Sequence, residues 1–191
     1  PKVFIQENVK KLLTNDCGKA VKKVMKTLRS IGDGAYDVQM NLLDTQEHGV
    51  PQSRPRVYIV AIRRDCQRSA IAFPAPVPKV SIESFLDAVE RRPTMEDLPP
   101  ETSKTARKNV KLILEHLTAH GHRPLTKTFT IDHNSSASRC GYMEDKVMCM
   151  TRSRSRGHWL TSHGRTMNVN EMLRCQGMER CFTQVISDPQ L

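Results

Sequence analysis

The chain has 191 residues, enough for one domain of ordinary size or one and a half. Lys and Arg number 30 against 20 Asp and Glu, a formal charge of +10, and hydrophobic residues make up 38%, enough for a lean core and too many for a disordered chain. No apolar run approaches the roughly 18 residues that cross a bilayer, and the six cysteines show neither CxxC spacing nor scaffold density, so membrane, secreted-scaffold, collagen-like and coiled-coil classes are excluded. The thiols read as those of a reduced, intracellular protein. The basic surplus favours a polyanionic partner, although a solubilising surface gives the same number.

Val3, Phe4 and Ile5 predict a short buried strand beginning almost at Pro1. With no initiating Met and little lead-in to that strand, the chain reads as cut from a larger protein. Thr14-Asn15-Asp16 predicts a helix cap. From Lys19 onward Val21, Val24, Leu28 and Ile31 recur at helical spacing, with Lys19, Lys22, Lys23, Lys26 and Arg29 between them. That pattern predicts an amphipathic surface helix with Gly32 just past its end. Tyr36, Val38, Met40 and Leu42 alternate, predicting a strand, and His48-Gly49-Val50-Pro51 a turn. Residues 57–62 are uninterruptedly apolar, the mark of a strand covered on both faces. Strand, helix, strand, strand in this order predicts part of an α/β sheet.

The texture changes at Arg63. Residues 63–80 are basic and then Pro-rich, a linker or extended cover. Residues 81–89 predict a short helix with Ile82, Phe85, Leu86 and Val89 on one side. Residues 105–120 predict a second clear helix, with Ala106, Val110, Ile113, Leu114 and Leu117 on one face. Residues 129–131 and 147–150 read as short strands. Residues 168–174 read as a third helical piece, capped by Asn168 or Asn170 and ended by Gly177. The middle, 63–160, reads as a separate, irregular lobe.

Three groups of residues could carry chemistry. Glu7 is expected to follow the first strand directly, where α/β sheets place their ligands. If desolvated there, it could hold a proton for a ring nitrogen; from spacing alone it also reads as a helix-capping or surface carboxylate. Asn8 beside it could bond loop backbone. Gln52-Ser53-Arg54-Pro55-Arg56 runs into the apolar strand. Arg54 and Arg56 share one face of an extended segment stiffened by Pro55, so their guanidinium forks could grip a phosphate and a base edge, or lie in solvent. Residues 151–170 hold no Asp or Glu but contain Arg152, Arg154, Arg156 and Arg165, with His158, Trp159 and His163. The stretch offers phosphate contacts and one stacking surface, or is a solvated basic loop. His116, His120 and His122 have no Cys or carboxylate at ligand spacing, so no metal is assigned to them.

With those residues in place, the chain resembles the DNA cytosine-5 methyltransferases. The likeness runs through Glu7-Asn8-Val9, the following helix, the strand around Tyr36-Asp37-Val38 and the block 49–62. It resumes at Gly164-Arg165 and continues through Glu171, Arg174, Gln176 and Gly177, close to half the residues in all. The resemblance implies an α/β fold: a partial Rossmann-like methyltransferase sheet plus a smaller, irregular α+β target-recognition lobe. The expected division is 1–65 for the carboxy-terminal part of the catalytic domain, 66–160 for target recognition, and 161–191 for a return segment packing between the two.

It also implies a reaction. A cytosine is flipped from double-stranded DNA, a cysteine attacks C6, S-adenosylmethionine donates a methyl group to C5, and the C5 proton then leaves, which releases the cysteine. In that scheme Glu7 holds a proton on cytosine N3, while Arg54 and Arg56 hold the base and a neighbouring phosphate. Gln52 shapes the loop. Arg152, Arg154 and Arg156 attract the backbone, and Trp159 is a packing anchor. Asn8, Arg174 and Gln176 are structural. The family's Pro-Cys nucleophile, glycine-rich cofactor loop and final Gly-Asn motif have no counterpart here; none of the six cysteines follows a proline. Cys175 therefore reads as packing, and the chain as a carboxy-terminal fragment, inert alone. A non-catalytic nucleic-acid-binding module and a transfer-RNA cytosine-5 methyltransferase are the competing expectations. The expected place of action is intracellular, nuclear in a eukaryote.

Overall fold

The structure is a computed structural model that describes residues 1–182. The protein is a mixed α/β chain that divides into two compact units, one of residues 1–48 and 54–77, the other of 49–53 and 78 onward.

The first unit is a three-stranded sheet with one helix on it. β1 (Val3–Val9), β2 (Tyr36–Asp44) and β4 (Pro55–Arg63) are ordered β1-β4-β2, and β4 runs antiparallel to both neighbours. Helix α1 (Lys19–Ser30) buries Val21 and Met25 against Tyr36, Val38, Val57, Ile59 and Ala61. Each fully buried side chain of this size contributes about 1.5–3 kcal/mol. The helix stops as its spacing predicted, with Ile31 extended and Gly32 at φ 59°. Its start differs. Thr14, Asn15 and Asp16 do not cap it; Asp16 and Cys17 take left-handed conformations in a 3-10 turn, and Gly18, at φ 79°, is the N-cap.

Two expectations for the sheet are corrected: β4 is not covered on both faces, and Val3 and Ile5 of β1 are not buried. Along β4, Val57, Ile59 and Ala61 are buried while Tyr58, Val60 and Ile62 are half-buried, so only α1's side is fully covered among the described residues. The opposite face exposes Val3 at 50%, Ile5 at 67% and Val9 at 50%. The Pro-rich segment after Arg63 ends as extended cover, with Val77 N–H donating to Glu47 O.

In the second unit, helix α2 (Lys104–Ala119) lays Val110, Ile113, Leu114 and Leu117 on Phe129, Ile131 and Trp159. These last belong to a four-stranded sheet. With β5 (Phe129–Ile131), β6 (Tyr142–Glu144), β8 (Trp159–Leu160) and β9 (Arg165–Thr166), its order is β6-β5-β8-β9. A two-stranded parallel piece joins β3 (Gln52–Ser53) to β7 (Val147–Met148). Helix α3 (Val169–Arg174) packs Met172, with Cys175 just beyond its end, against Ile82, Leu86 and Leu160. Residues 81–89 form only a 3-10 turn, Ile82–Phe85, because Leu86 turns extended.

Candidate active site

β1 and β4 bring the first pair of site residues together. Their register sets Val9 opposite Arg56 and Glu7 opposite Tyr58, so Glu7 and Arg56 are diagonal neighbours on one face. Glu7 Oε1 lies 2.7 Å from Arg56 Nε. The arginine is held a second time, its Nη1 donating to Pro55 O at 2.9 Å. Glu7 therefore stands inside β1 rather than after it. Its side chain is 46% exposed and the guanidinium's 15%, so the carboxylate is paired at a surface instead of desolvated in the sheet. Asn8 faces the other way, and its Oδ1 accepts from Val9 N–H at 2.8 Å.

Arg54 is placed through its backbone. Its N–H donates to Asp44 Oδ1 at 2.7 Å, and the same carboxylate accepts from Gln46 Nε2 at 2.9 Å. Asp44 was not singled out from the sequence; an Asp leaving a strand into a polar turn is the signal that could have found it. Gln52, in the second unit, is 2% exposed within β3, whose approach is fixed by Val147 N–H donating to Pro51 O at 2.8 Å.

The arginine-rich segment is a 3-10 turn, Arg152–Arg154, with Arg152 and Arg156 exposed. Arg154 is different. Its Nε donates to Asp132 Oδ2 at 2.7 Å and its Nη1 to Cys149 O at 3.4 Å. Burial would raise the Asp132 carboxyl, but Ser135 Oγ and the Arg154 guanidinium outweigh it and hold it below its ordinary value. Gly157 ends the turn at φ 78°; a Cβ there would lie 2.8 Å from Met167 O, so no other residue fits without displacing backbone. Arg152, Arg154, Arg156, Thr151, Met172 and Gln176 line one cavity of about 580 Å³.

Beyond Gly157 the chain is interior, not a solvated loop. His158 is fully buried and Trp159 is 5% exposed, its ring edge-on to His133 at 6.1 Å. Trp159 is a core residue and presents no stacking surface. Among the described residues neither ring nitrogen of His158 has a hydrogen-bond partner. Burial pushes this imidazole down to about 4, with Asp132 acting against the shift and Arg154 and His133 adding to it. The unfolded chain therefore takes up the proton first as pH falls below about 6.5. Stability present above that pH is expected to fall by up to about 3 kcal/mol as pH approaches 4, following 1.36 kcal/mol per unit of displacement. Urea midpoints measured across this range should show the decline in the natural protein and a shallower one in His158→Leu; equal slopes would remove His158 as the cause.

Arg174 is 9% exposed; its Nε donates to Phe85 O at 2.7 Å and its Nη2 to Asp87 Oδ1 at 2.6 Å. Gln176 is exposed, and its side-chain amide donates to Met172 O at 3.3 Å. Glu171, part of the sequence likeness but given no role, is fully buried and bidentate to Arg165 at 2.7 and 2.8 Å. It also accepts from the Asp87 and Asn168 backbone N–H groups, closing a capping box with Asn168. The Asn-x-x-Glu spacing carried that signal. Burial alone would raise the Glu171 carboxyl, but these donors hold it below the ordinary glutamate value. Cys175 is buried, which pushes its thiol up to about 12, so it packs and does not attack.

Among the described residues no cluster of three or more His, Cys, Asp or Glu could hold a metal, and no helix is long and apolar enough to cross a membrane. The C-5 cytosine-specific DNA methylase family model matches residues 1–191. The type II methyltransferase M.BsuFI of Bacillus subtilis is 40% identical over 46% of the chain, and M.BbvI of Brevibacillus brevis 34% identical over 64%. These alignments cover 21% and 32% of the two relatives, so the chain spans less than a third of the length of either. The solved structure of Entamoeba histolytica methyltransferase EhMeth aligns with all of this chain and 56% of its own, at TM-score 0.54 and 17% identity, a likeness of fold. The chain belongs to the C-5 cytosine-specific DNA methylase family.

Proposed function

We propose that this chain supplies the base-holding and DNA-holding parts of an enzyme that methylates C5 of cytosine in double-stranded DNA. The observation that carries the reading is the Glu7–Arg56 pair, 2.7 Å apart on the open face of the first sheet. A cytosine swung out of the helix meets a carboxyl group that Arg56 orients, and Glu7 holds a proton at ring N3, which drains electron density from C6. Arg54 and Arg56 together hold the base and an adjacent phosphate. Gln52, buried in β3, shapes the segment leading to them. Arg152 and Arg156 contact phosphates from the exposed turn, and Arg154, tied to Asp132, keeps that turn in place. Asn8, Arg174 and Gln176 are structural in this scheme, Arg174 by fastening residues 85–87 to α3.

The methyl donor in this reading is S-adenosylmethionine, and the described residues do not form its site. The glycine-rich turn at 32–34 follows helix α1 and leads into β2, whereas a nucleotide cradle joins a strand to a helix N-terminus. The attacking cysteine likewise lies outside this chain. The unpaired outer edge of β1 among the described residues supports a further proposal, that β1-β4-β2 is one side of a wider Rossmann-like sheet, and the exposed Val3, Ile5 and Val9 suit a layer covering its open face. Residues 1–65 are then catalytic-domain sequence, 66–160 the target-recognition lobe and 161–191 the return segment. The enzyme acts inside the cell, where its DNA is.

The test is methyl acceptance by the full-length protein on duplex DNA and on transfer RNA, with labelled methyl donor. Incorporation into duplex cytosines is the expected result; incorporation into transfer RNA alone, or into neither, overturns the reading. Phosphate contact has its own signature. Arg152→Ala and Arg156→Ala should each reduce the slope of log K against log salt by about 1 and weaken binding across all sequences alike. An unchanged slope, measured by anisotropy on labelled duplex, takes the turn off the DNA.

A further inference from the structure

Helix α1 exposes Lys19, Lys22, Lys23, Lys26 and Arg29, and no carboxylate occurs in the chain between Asp16 and Asp33. None of the five forms an ion pair among the described residues. Lys22, Lys26 and Arg29 fall at i, i+4 and i+7, one row along the helix. That row rims a groove of about 660 Å³ whose other lining residues are Val21, Met25, Ser30 and Met40. Met40 comes from β2 and is 37% exposed, as is Leu42 two residues along the same side of that strand. β2 is also an edge, with no strand on its outer side among the described residues.

We propose that this groove between α1 and β2 docks an acidic, amphipathic segment of a protein partner. The charge on the rim selects the occupant. A second copy of the chain would bring two lysine rows together, a like-charge juxtaposition that opposes docking. Nucleic acid would satisfy the lysines, but it would leave the thioether and valine floor covered by phosphate and sugar, and no aromatic ring lines the groove for a base to stack on. A segment with carboxylates on one side and Leu- or Ile-type residues on the other satisfies rim and floor together. This docking does not rest on the methyl-transfer reading.

The experiment uses the full-length protein and a fluorescent amphipathic peptide of Glu and Leu, followed by anisotropy. The natural protein should bind it, and more weakly as salt rises. Lys22→Glu with Lys26→Glu should lower that affinity by about tenfold or more, and Met40→Asp should act in the same direction. Lys23→Glu, on the same helix but outside the groove, controls for folding and general charge and should change the affinity by less than about threefold. Methyl transfer and duplex-DNA binding should be unchanged in all these variants. Three results overturn the proposal: peptide affinity indifferent to the Lys22/Lys26 reversal, duplex-DNA affinity falling as much as peptide affinity, or self-association of the natural chain that Met40→Asp abolishes.

Discussion

Glu7→Gln in the full-length protein is expected to lower kcat for methyl transfer by about 10²- to 10⁴-fold, the range for loss of a positioned proton donor. Glutamine keeps the shape of the side chain and a carbonyl oxygen that accepts from Arg56 Nε, now seated 2.7 Å from the carboxylate. What it loses is the ionisable proton. Binding to duplex DNA should therefore change little, and the loss should appear in single-turnover rates rather than in KM. Arg56→Lys separates positioning from charge: one ammonium replaces a fork that also bonds Pro55 O, so intermediate activity is expected. Natural turnover in Glu7→Gln would remove this carboxylate from the chemistry, whatever the DNA affinity.

The largest effect on stability is expected at Glu171. The carboxylate is fully buried and accepts from Arg165, from Asp87 N–H and from Asn168 N–H. Glu171→Ala leaves two backbone donors unpaired, while the Arg165 guanidinium, 36% exposed and still donating to Thr166 O, turns to water, so the cost is about 2–4 kcal/mol, below that of breaking a pair buried on both sides. That is a large share of the roughly 5–15 kcal/mol that holds an ordinary domain together. The urea midpoint should fall with little change in the slope of the transition. Glu171→Gln keeps one acceptor oxygen and should cost less. A loss under about 1 kcal/mol in Glu171→Ala would mean that water replaces the carboxylate without penalty, against its complete burial.

These two residues differ in how well their sequence announced them. Glu7 is singled out in the sequence by an order of motifs that it shares with Arg54 and Arg56, whereas its pairing with Arg56 needed the register of β1 on β4. Glu171 carried a capping-box spacing, yet burial of an acid is a tertiary fact that no local pattern states. Helix α1 and helix α2 were legible because twelve and sixteen residues give the 3.6-residue period several turns to repeat. Strands β8 and β9, of two residues each, contain no period to read.

Residues 57–62 misled through composition. Half-buried Tyr58, Val60 and Ile62 are as apolar as buried Val57, Ile59 and Ala61, so alternation in burial left no alternation in residue type. The stretch 151–170 misled the other way. Its lack of acids described the exposed arginines well, but His158, Trp159 and Thr161 in the same stretch are buried. Strand direction was likewise invisible: an apolar run reads the same whether its neighbours are parallel or, as here, antiparallel.

The parallel pairing of β3 with β7 bears on exchange between relatives. Nearly a hundred residues separate these partners, and Pro51 O and Gln52 belong to the same compact body as the sheet around Phe129. A swap made by grafting one uninterrupted stretch, starting at 66 or at 78, would set a borrowed β7 beside the host's own β3, whose buried Gln52 would then pack among foreign side chains. A hybrid that keeps this packing intact brings along the donor's run from Gly49 to Ser53 as well, so the second compact body and the stretch that enters Arg54 travel together.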